Sequence, residues 1–198
     1  MFQVRIHGRG GQGVVTAAEL LAQAAFSEGR HAQAFPSFGS ERTGAPVVAF
    51  CRIADEAIRV REPVMAPDAL IVQDETLLHG VDVFNGLLPT GYVLINSTRT
   101  FTELGLGQFA SATNRFVTVP ATELALEHLG RPVPNAVLLG AFAALTQVVS
   151  LASVVDAIGA KFKGKLAEGN SAAATAAYVF VQSQLGDQSK ESSDAQAG

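Results

Sequence analysis

A glycine-rich segment near the N-terminus constrains the possible folds of this chain more than any other feature. Residues 8–13, GRGGQG, have the G-x-G-x-x-G spacing of dinucleotide-binding loops. Residues 2–7 before it alternate apolar and polar side chains, which indicates a strand, and residues 14–28 after it place apolar side chains at helical spacing. A further strand-like run lies at 31–35. This order predicts a βαβ unit with parallel strands.

The rest of the chain continues the pattern of strands and helices. Runs typical of strands occur at 47–53, 58–61, 69–74, 92–97 and 116–120. We expect 58–61 to pair with 47–53 as a hairpin. After Pro120, helical patterns dominate. The sequence therefore predicts one Rossmann-like α/β domain over residues 1–184, with a mostly parallel sheet, a hairpin insertion and C-terminal helices, followed by a disordered polar tail at 185–198.

The composition limits the kinds of protein that this chain can be. The net charge is −4, which argues against a general nucleic-acid binder, and Cys51 is the one cysteine among 198 residues. A disulfide within the chain and an iron–sulfur cluster held by four of its own thiolates are therefore excluded. Without a signal-peptide pattern or an apolar run of about 18 residues, we expect a cytoplasmic protein with no membrane span. Charged residues make up only 16%, so either the chain is simply rich in alanine and valine, or partner subunits cover its surface.

The glycine loop has the chemistry of a phosphate-binding segment. Glycines let a ligand approach the backbone, and the start of the following helix offers free N–H groups and a partial positive charge. Arg9 adds a formal charge. NAD also needs an acidic residue at the end of the second strand, about 20 residues on, but Glu28 comes too early and Glu41 too late. A P-loop is excluded because no Gly-Lys-Ser/Thr follows. A purely structural role of the glycines remains an alternative.

A second loop at 36–46, PSFGSERTGAP, carries another set of groups suited to phosphate. Arg42 supplies a guanidinium, and Ser40 and Thr43 supply hydroxyls. Loops at the carboxyl edge of a doubly wound sheet lie near one another, so we expect Arg9 and Arg42 to face one ligand. Alternatively, Arg42 forms an ion pair with its acidic neighbour in the chain or with another subunit.

Five segments follow one another along the chain in a characteristic order. They are HGRGGQGVVTAAELLAQAAF, AQAFPSFGSERTGAPVVAFCRI, LIVQDETLL, LGRPVPNAVLLGAFA and GKLAEGNSAAATAAY. In this order and spacing they resemble the gamma subunit of 2-oxoacid:ferredoxin oxidoreductases, and above all the gamma subunits of the pyruvate and 2-ketoisovalerate enzymes. The resemblance extends over roughly Phe2 to Val181. Linked motifs make it more specific than the first glycine loop alone.

The resemblance implies a function that the chain shares with other subunits. Enzymes of this family decarboxylate a 2-oxoacid oxidatively with coenzyme A, which gives an acyl-CoA, carbon dioxide and two electrons. Thiamine diphosphate and Mg²⁺ are implied on alpha and beta subunits, and iron–sulfur clusters on partners carry the electrons to ferredoxin or another acceptor. The gamma subunit is implied to pack on alpha, beta and delta-type subunits and to help form the coenzyme A site. It has no implied catalytic residue or metal ligand of its own.

The implied coenzyme A site falls on the two loops. Its residues are Gly8, Arg9, Gly10, Gly11, Gln12, Gly13, Ser40, Glu41, Arg42, Thr43 and Gly44. Many family members have a second basic residue where this chain has Thr43, so less charge is available for phosphates here. The sequence leaves open the 2-oxoacid (pyruvate, branched-chain or aromatic) and the final acceptor (ferredoxin or NAD). A purely structural assembly subunit and a free-standing NAD(P)-binding Rossmann protein remain alternatives.

Polar residues also follow two later strands at the same edge of the predicted sheet. Asp74 and Glu75 come at the end of the run 69–74, where they are expected to cap the following helix rather than act as an acid–base pair. Asn96 and Ser97 end the next run. For these two residues, contact with a ligand and capping of a turn both remain open.

Overall fold

The computed structural model describes residues 1–37, 43–109 and 115–196, apart from the side chains of residues 109 and 187–196. The strands are β1 (Phe2–Arg9), β2 (His31–Pro36), β3 (Pro46–Ala54), β4 (Ala69–Val72), β5 (Tyr92–Asn96) and β6 (Phe116–Val119). The α-helices are α1 (Val14–Ser27), α2 (Ala121–Leu129), α3 (Asn135–Thr146), α4 (Leu151–Lys161) and α5 (Lys165–Gln196). The predicted α/β fold class is confirmed.

The sheet is mixed because β3 runs against both of its neighbours. The strand order is β2-β3-β1-β4-β5-β6, with β1 parallel to β4 and antiparallel to β3. The strands β4, β5 and β6 continue the parallel part. In the opening β1-α1-β2 unit the two strands run in the same direction, as predicted, but β3 lies between them. The sheet is thus mostly parallel, with β3 as the exception.

The predicted pairing of residues 58–61 with 47–53 is wrong. Residues 58–61 form no strand, and β3 pairs instead with β2 on one side and with β1 on the other. A strand has two hydrogen-bonding edges, so β3 has none left for a third partner. Arg59 and Val60 are exposed, which means that the alternating pattern there marks no buried face. The hairpin of this fold is formed by β2 and β3.

The larger of two hydrophobic cores lies between the sheet and the helices. α3 is its centre and is buried from Asn135 to Leu145. At Gly140 the backbone of α5 passes so close that an added Cβ would lie 2.8 Å from the Cα of Ala174 and would overlap its carbonyl oxygen. A smaller core, which includes Leu70, covers the opposite face of β4 and β5. The two faces of the central strands are therefore both buried.

The last helix extends past the boundary that the sequence predicts for the domain. α5 continues to Gln196, whereas the polar composition predicts a disordered tail at 185–198. Val181 is the last buried side chain of α5 among those described. A helix satisfies its backbone hydrogen bonds within itself, so it can continue beyond its packed part. No helix in the described part of the chain is long and apolar enough to cross a membrane.

Two basic side chains of β1 are buried on the face that carries the smaller core. Arg5 donates hydrogen bonds to the carbonyl oxygens of Val64, Val83 and Asn85, and its Nε donates to Nε2 of His7 at 3.1 Å. Only 5% of His7 is exposed. Burial and, secondarily, the charge of Arg5 lower the pKa of His7 to about 4. His7 is therefore neutral at pH 7 and acts as a hydrogen-bond acceptor.

The folded chain is expected to lose stability as the pH falls from about 6.5 towards 4. His7 takes up its proton near pH 6.5 when unfolded but only near pH 4 when folded, so the unfolded chain binds more protons in this range. At pH 5 the loss from this group should be roughly 2 kcal/mol relative to pH 7. Urea denaturation of the full chain at both pH values measures it. His7→Gln should remove most of the loss, and the exposed His79→Gln should not; equal pH dependence in wild type and His7→Gln contradicts the prediction.

Candidate functional site

The glycine loop joins β1 to α1 at the carboxyl edge of the parallel strands. β1 ends at Arg9 and α1 begins at Val14. Gly13 is the N-cap residue of α1, so no side chain caps the helix. The N–H groups of the first turn therefore lack the acceptor that Ser, Thr, Asp or Asn would supply at this position. Such groups can bind an anionic ligand.

Two of the loop glycines are closely packed against neighbouring side chains, and Gly13 also has a positive φ of 71°, which favours glycine. A Cβ at Gly13 would overlap the side-chain amide of Asn135, and a Cβ at Gly8 would lie 2.6 Å from a methyl carbon of Val14. The structural role that the sequence left open thus applies to these two positions. Gly11, in contrast, is exposed and has open space around it. It is the point at which the loop backbone is accessible to a ligand.

Arg9 is held in place by contacts within the chain. Its Nε lies 3.3 Å from Oδ2 of Asp74, Nη1 donates to the carbonyl oxygen of Gly44 at 3.0 Å, and Nη2 donates to Oγ1 of Thr76 at 2.7 Å. A guanidinium has five N–H groups, and two remain after these contacts. The side chain is 32% exposed, so the two remaining groups can reach a ligand. Asp74 offsets part of the positive charge.

The end of the second loop lies against the glycine loop. The N–H of Gly10 donates to the carbonyl oxygen of Ala45 at 2.8 Å, the N–H of Gly44 donates to that of Gly10 at 3.1 Å, and Thr43 pairs with Gly10 in a short parallel bridge. Residues 43–45 of the second loop therefore lie beside the glycine loop, as expected, although the cause is β3, which starts at Pro46 beside β1. The other predicted members of this loop lie outside the described residues: Ser40, Glu41 and Arg42.

Asp74 ties the glycine loop to the segment after β4. It accepts the N–H of Thr76 and caps the short 3₁₀ helix Glu75–His79, and its Oδ2 accepts from Nε2 of Gln12 at 2.9 Å. Burial raises the pKa of Asp74, but hydrogen bonds from Thr76 and Gln12 and the charge of Arg9 together bring it below its usual value. The predicted capping role of Asp74 is confirmed. A carboxylate kept ionised in this way is a poor general acid.

A cleft opens beside this loop at the carboxyl ends of β1, β4 and β5. The chain leaves β1 towards the larger core and leaves β4 towards the smaller one. This change of side is a topological switch point, the place where open α/β sheets bind ligands. The cleft has a volume of about 430 Å³, and its lining includes Gln12, Gln73, Asp74, Asn96, Thr122 and Glu123.

Asn96 connects two parts of the fold by hydrogen bonds at the edge of this cleft. Its Nδ2 donates to the carbonyl oxygen of Gln73 at 2.9 Å and to Oγ1 of Thr122 at 2.8 Å, and its Oδ1 accepts the N–H of Thr122. These bonds fix the start of α2 to the ends of β4 and β5. Ser97 accepts the N–H of Arg99 in a turn. Both side chains therefore have the capping role that the sequence offered as one of two possibilities.

Gln73 is a residue of this site that the sequence analysis did not single out. It directly follows β4 and is only 1% exposed. Within the described residues, neither its Nε2 nor its Oε1 has a hydrogen-bond partner. Native proteins leave few buried polar groups unsatisfied. The signal in the sequence was slight: a polar residue that ends a buried apolar strand.

The strand order also argues against NAD. In dinucleotide-binding folds, the acid that binds the ribose ends the parallel strand beside β1. Here β1 is flanked on that side by antiparallel β3, and β2 ends at Pro36 two strands away, roughly 10 Å from β1. No acidic residue follows β2 or precedes β3 in the part of this edge that the structure describes. Among the residues that the structure describes, none fills the ribose-binding position.

The described residues also contain no group of three or more His, Cys, Asp or Glu side chains placed to hold a metal ion. Cys51 is buried in β3, and burial raises the pKa of its thiol to about 12. A thiol of this kind is inert as a nucleophile at neutral pH.

Comparisons with known proteins agree with this architecture. The sequence pattern of the pyruvate ferredoxin/flavodoxin oxidoreductase family matches residues 3–180. Over 178 residues, the chain is 52% identical to pyruvate synthase subunit PorC of Methanothermobacter marburgensis, with 90% of this chain and 96% of that protein covered. It is 47% identical, with the same coverage, to the common subunit gamma of the pyruvate/ketoisovalerate oxidoreductases of Pyrococcus furiosus. The crystal structure of pyruvate oxidoreductase subunit PORC from Thermotoga maritima has a TM-score of 0.75 at 35% identity and covers 89% of this chain and 94% of its own.

The chain therefore belongs to the pyruvate ferredoxin/flavodoxin oxidoreductase family. Within that family it is a gamma-type subunit of a pyruvate/2-oxoacid:ferredoxin oxidoreductase, which is an enzyme of several subunits. The resemblance found in the sequence predicted this class correctly.

Proposed function

We propose that this chain supplies part of the coenzyme A site of the assembled enzyme and helps to hold its subunits together. In this proposal the enzyme converts a 2-oxoacid and coenzyme A into an acyl-CoA, carbon dioxide and two electrons, which pass to ferredoxin or another acceptor. The phosphates of coenzyme A lie against the two loops, residues 8–13 and 40–44. Catalysis itself takes place on the partner subunits.

The proposal rests on one observation: the uncapped start of α1 lies beside Arg9, which keeps two N–H groups for a ligand. The first-turn N–H groups after Gly13, the exposed backbone at Gly11 and the two remaining N–H groups of Arg9 lie along one short loop. Phosphates bind to such a combination of helix start and guanidinium. Thr43 and the Asp74–Arg9 pair both limit the positive charge, so the contribution of this chain to affinity should be moderate.

In the same proposal, thiamine diphosphate, Mg²⁺ and the iron–sulfur clusters belong to the partners. A cluster held by four cysteines does not fit a chain with one cysteine. The gamma-type subunit on its own should therefore show no oxidation of pyruvate with coenzyme A and ferredoxin, whereas the complex should show it. Full activity of the isolated chain rules out this division of labour.

Replacing either loop arginine with alanine is expected to raise the KM for coenzyme A by about tenfold. A hydrogen bond to a charged group is worth roughly 1.5–3 kcal/mol, and the loop is partly exposed to solvent, which places the effect near the lower limit. Complexes with Arg9→Ala and with Arg42→Ala are compared with wild type in steady-state kinetics, and the KM for the 2-oxoacid should stay the same. Arg30→Ala is the matched control, because Arg30 also forms a surface ion pair, 3.1 Å from Asp55. If both loop variants keep the wild-type KM, the phosphate role is wrong and a purely structural subunit is the better account.

An apolar groove between α2 and α5 supports the assembly part of the proposal. It is lined by residues that include Leu124, Ala176, Val179 and Phe180. Val179 is 58% exposed. Exposed apolar surface of this kind is typical of contacts between subunits. A covered surface also explains why so few residues of the chain are charged.

A further inference from the structure

The cleft at the switch point differs from a phosphate site in its charge. Asp74 is paired with Arg9 at 3.3 Å, and Glu75 is paired with Arg99 at 2.7 Å. Glu123 adds a further carboxylate to the lining. A phosphate inside the cleft would therefore meet an excess of negative charge, which repels it. An uncharged polar group suits the cleft better.

Gln73 in the lining of this cleft has hydrogen-bonding groups to offer. Its Nε2 donor and Oε1 acceptor have no partner among the described residues, and the side chain is 1% exposed. Gln73 lines the cleft, and the terminal torsion of a glutamine side chain is soft, so the amide plane can rotate to present either its donor or its acceptor. An amide group of a ligand presents the matching carbonyl oxygen and N–H. Binding such a group removes the free-energy penalty of the two unsatisfied atoms.

We propose that the cleft is a subsite for an uncharged polar group and that it binds an amide of a small ligand through Gln73. The identity of the ligand rests on the proposed function: coenzyme A has a pyrophosphate followed by an uncharged pantetheine arm with two secondary amides. Gln12 belongs to the glycine loop and also lines the cleft. A pyrophosphate on the loop therefore leads the arm past Gln12 to Gln73. Pro132 and Pro134 supply an apolar wall for the methyl groups of the arm.

The test uses the assembled enzyme and distinguishes binding of the pantetheine arm from binding of the nucleotide part of coenzyme A. Gln73→Met keeps the length of the side chain and removes the amide. The KM for coenzyme A should rise about tenfold, whereas the inhibition constant of 3′-phosphoadenosine 5′-diphosphate, which lacks the arm, should stay within about twofold of wild type. Gln23→Met is the matched control, because Gln23 is exposed on α1, and it should change neither constant.

Each other outcome has a definite meaning. An unchanged KM in Gln73→Met overturns the inference, even if the melting temperature changes, because Gln73 is then merely structural. A parallel rise of KM and inhibition constant overturns it too, since the cleft then holds the nucleotide. The failure of the proposed function looks different: Arg9→Ala and Arg42→Ala would both leave the inhibition constant of the nucleotide unchanged.

A second measurement applies if Gln73→Met does not assemble. In the ¹⁵N-labelled full chain, pantetheine should shift the side-chain NH₂ signals of Gln73, and adenosine 3′,5′-bisphosphate should leave them in place. Signals that do not move at millimolar pantetheine overturn the inference.

Discussion

Replacing Gly140 with alanine should lower the free energy of unfolding by about 3 kcal/mol or more. The added Cβ would lie 2.5 Å from the carbonyl carbon and 2.8 Å from the Cα of Ala174, and would overlap the carbonyl oxygen. These are backbone atoms, so no side chain can turn aside to make room. The axes of α3 and α5 must separate instead, and this loosens the packing of a helix that is buried along its length.

Gly159→Ala is the matched control for this prediction. Gly159 lies in α4, is exposed and has no atom near its Cβ position. Alanine there should stabilise the chain by about 0.5–1 kcal/mol, since glycine is unfavourable inside a helix. Urea denaturation of the full chain measures both variants. A loss below about 1 kcal/mol for Gly140→Ala would mean that α3 and α5 can move apart at little cost.

The substitution Arg5→Met should destabilise the fold by about 3 kcal/mol. The guanidinium of Arg5 donates to the carbonyl oxygens of Val64 and Val83, whose residues are almost completely buried, and to that of Asn85. Methionine fills the space but leaves these acceptors and Nε2 of His7 without donors. Burial lowers the pKa of Arg5, so removing the charge recovers part of the loss. The free-energy cost of the unsatisfied acceptors is larger than that gain.

Arg59→Met is the control for the buried arginine. Arg59 is exposed in a segment without regular structure, so its variant should stay within about 0.5 kcal/mol of wild type. Thermal and urea denaturation of the full chain compare the three proteins. Similar stabilities of Arg5→Met and Arg59→Met would show that water replaces the guanidinium at the buried carbonyls.

The two halves of the candidate site have opposite electrostatic characters. The glycine loop offers N–H groups and part of the charge of Arg9, whereas the adjoining cleft is lined by carboxylates and an unsatisfied amide. A ligand that is charged at one end and neutral along the next stretch fits both. This division of charge links the proposed phosphate contacts to the inferred amide subsite.

Local patterns in the sequence were sufficient for most elements of this fold. Alternation of apolar residues identified β1, and helical spacing identified α1. Each of these features depends on residues within one turn or one strand. The linked motifs also identified the family, because they extend over most of the chain.

The sequence by itself determined the α/β class, β1, α1, the glycine loop and the class of enzyme to which the subunit belongs, but it wrongly placed a strand at 58–61. Tertiary structure decided where β3 lies, because pairing with β1 and β2 depends on contacts between residues far apart in the chain. It also decided that Arg9 meets Asp74 and that Gln73 is buried without a partner. Charge balance and satisfaction of hydrogen bonds are properties of the packed edge of the sheet. They depend on residues from several strands and therefore arise only when the sheet has formed.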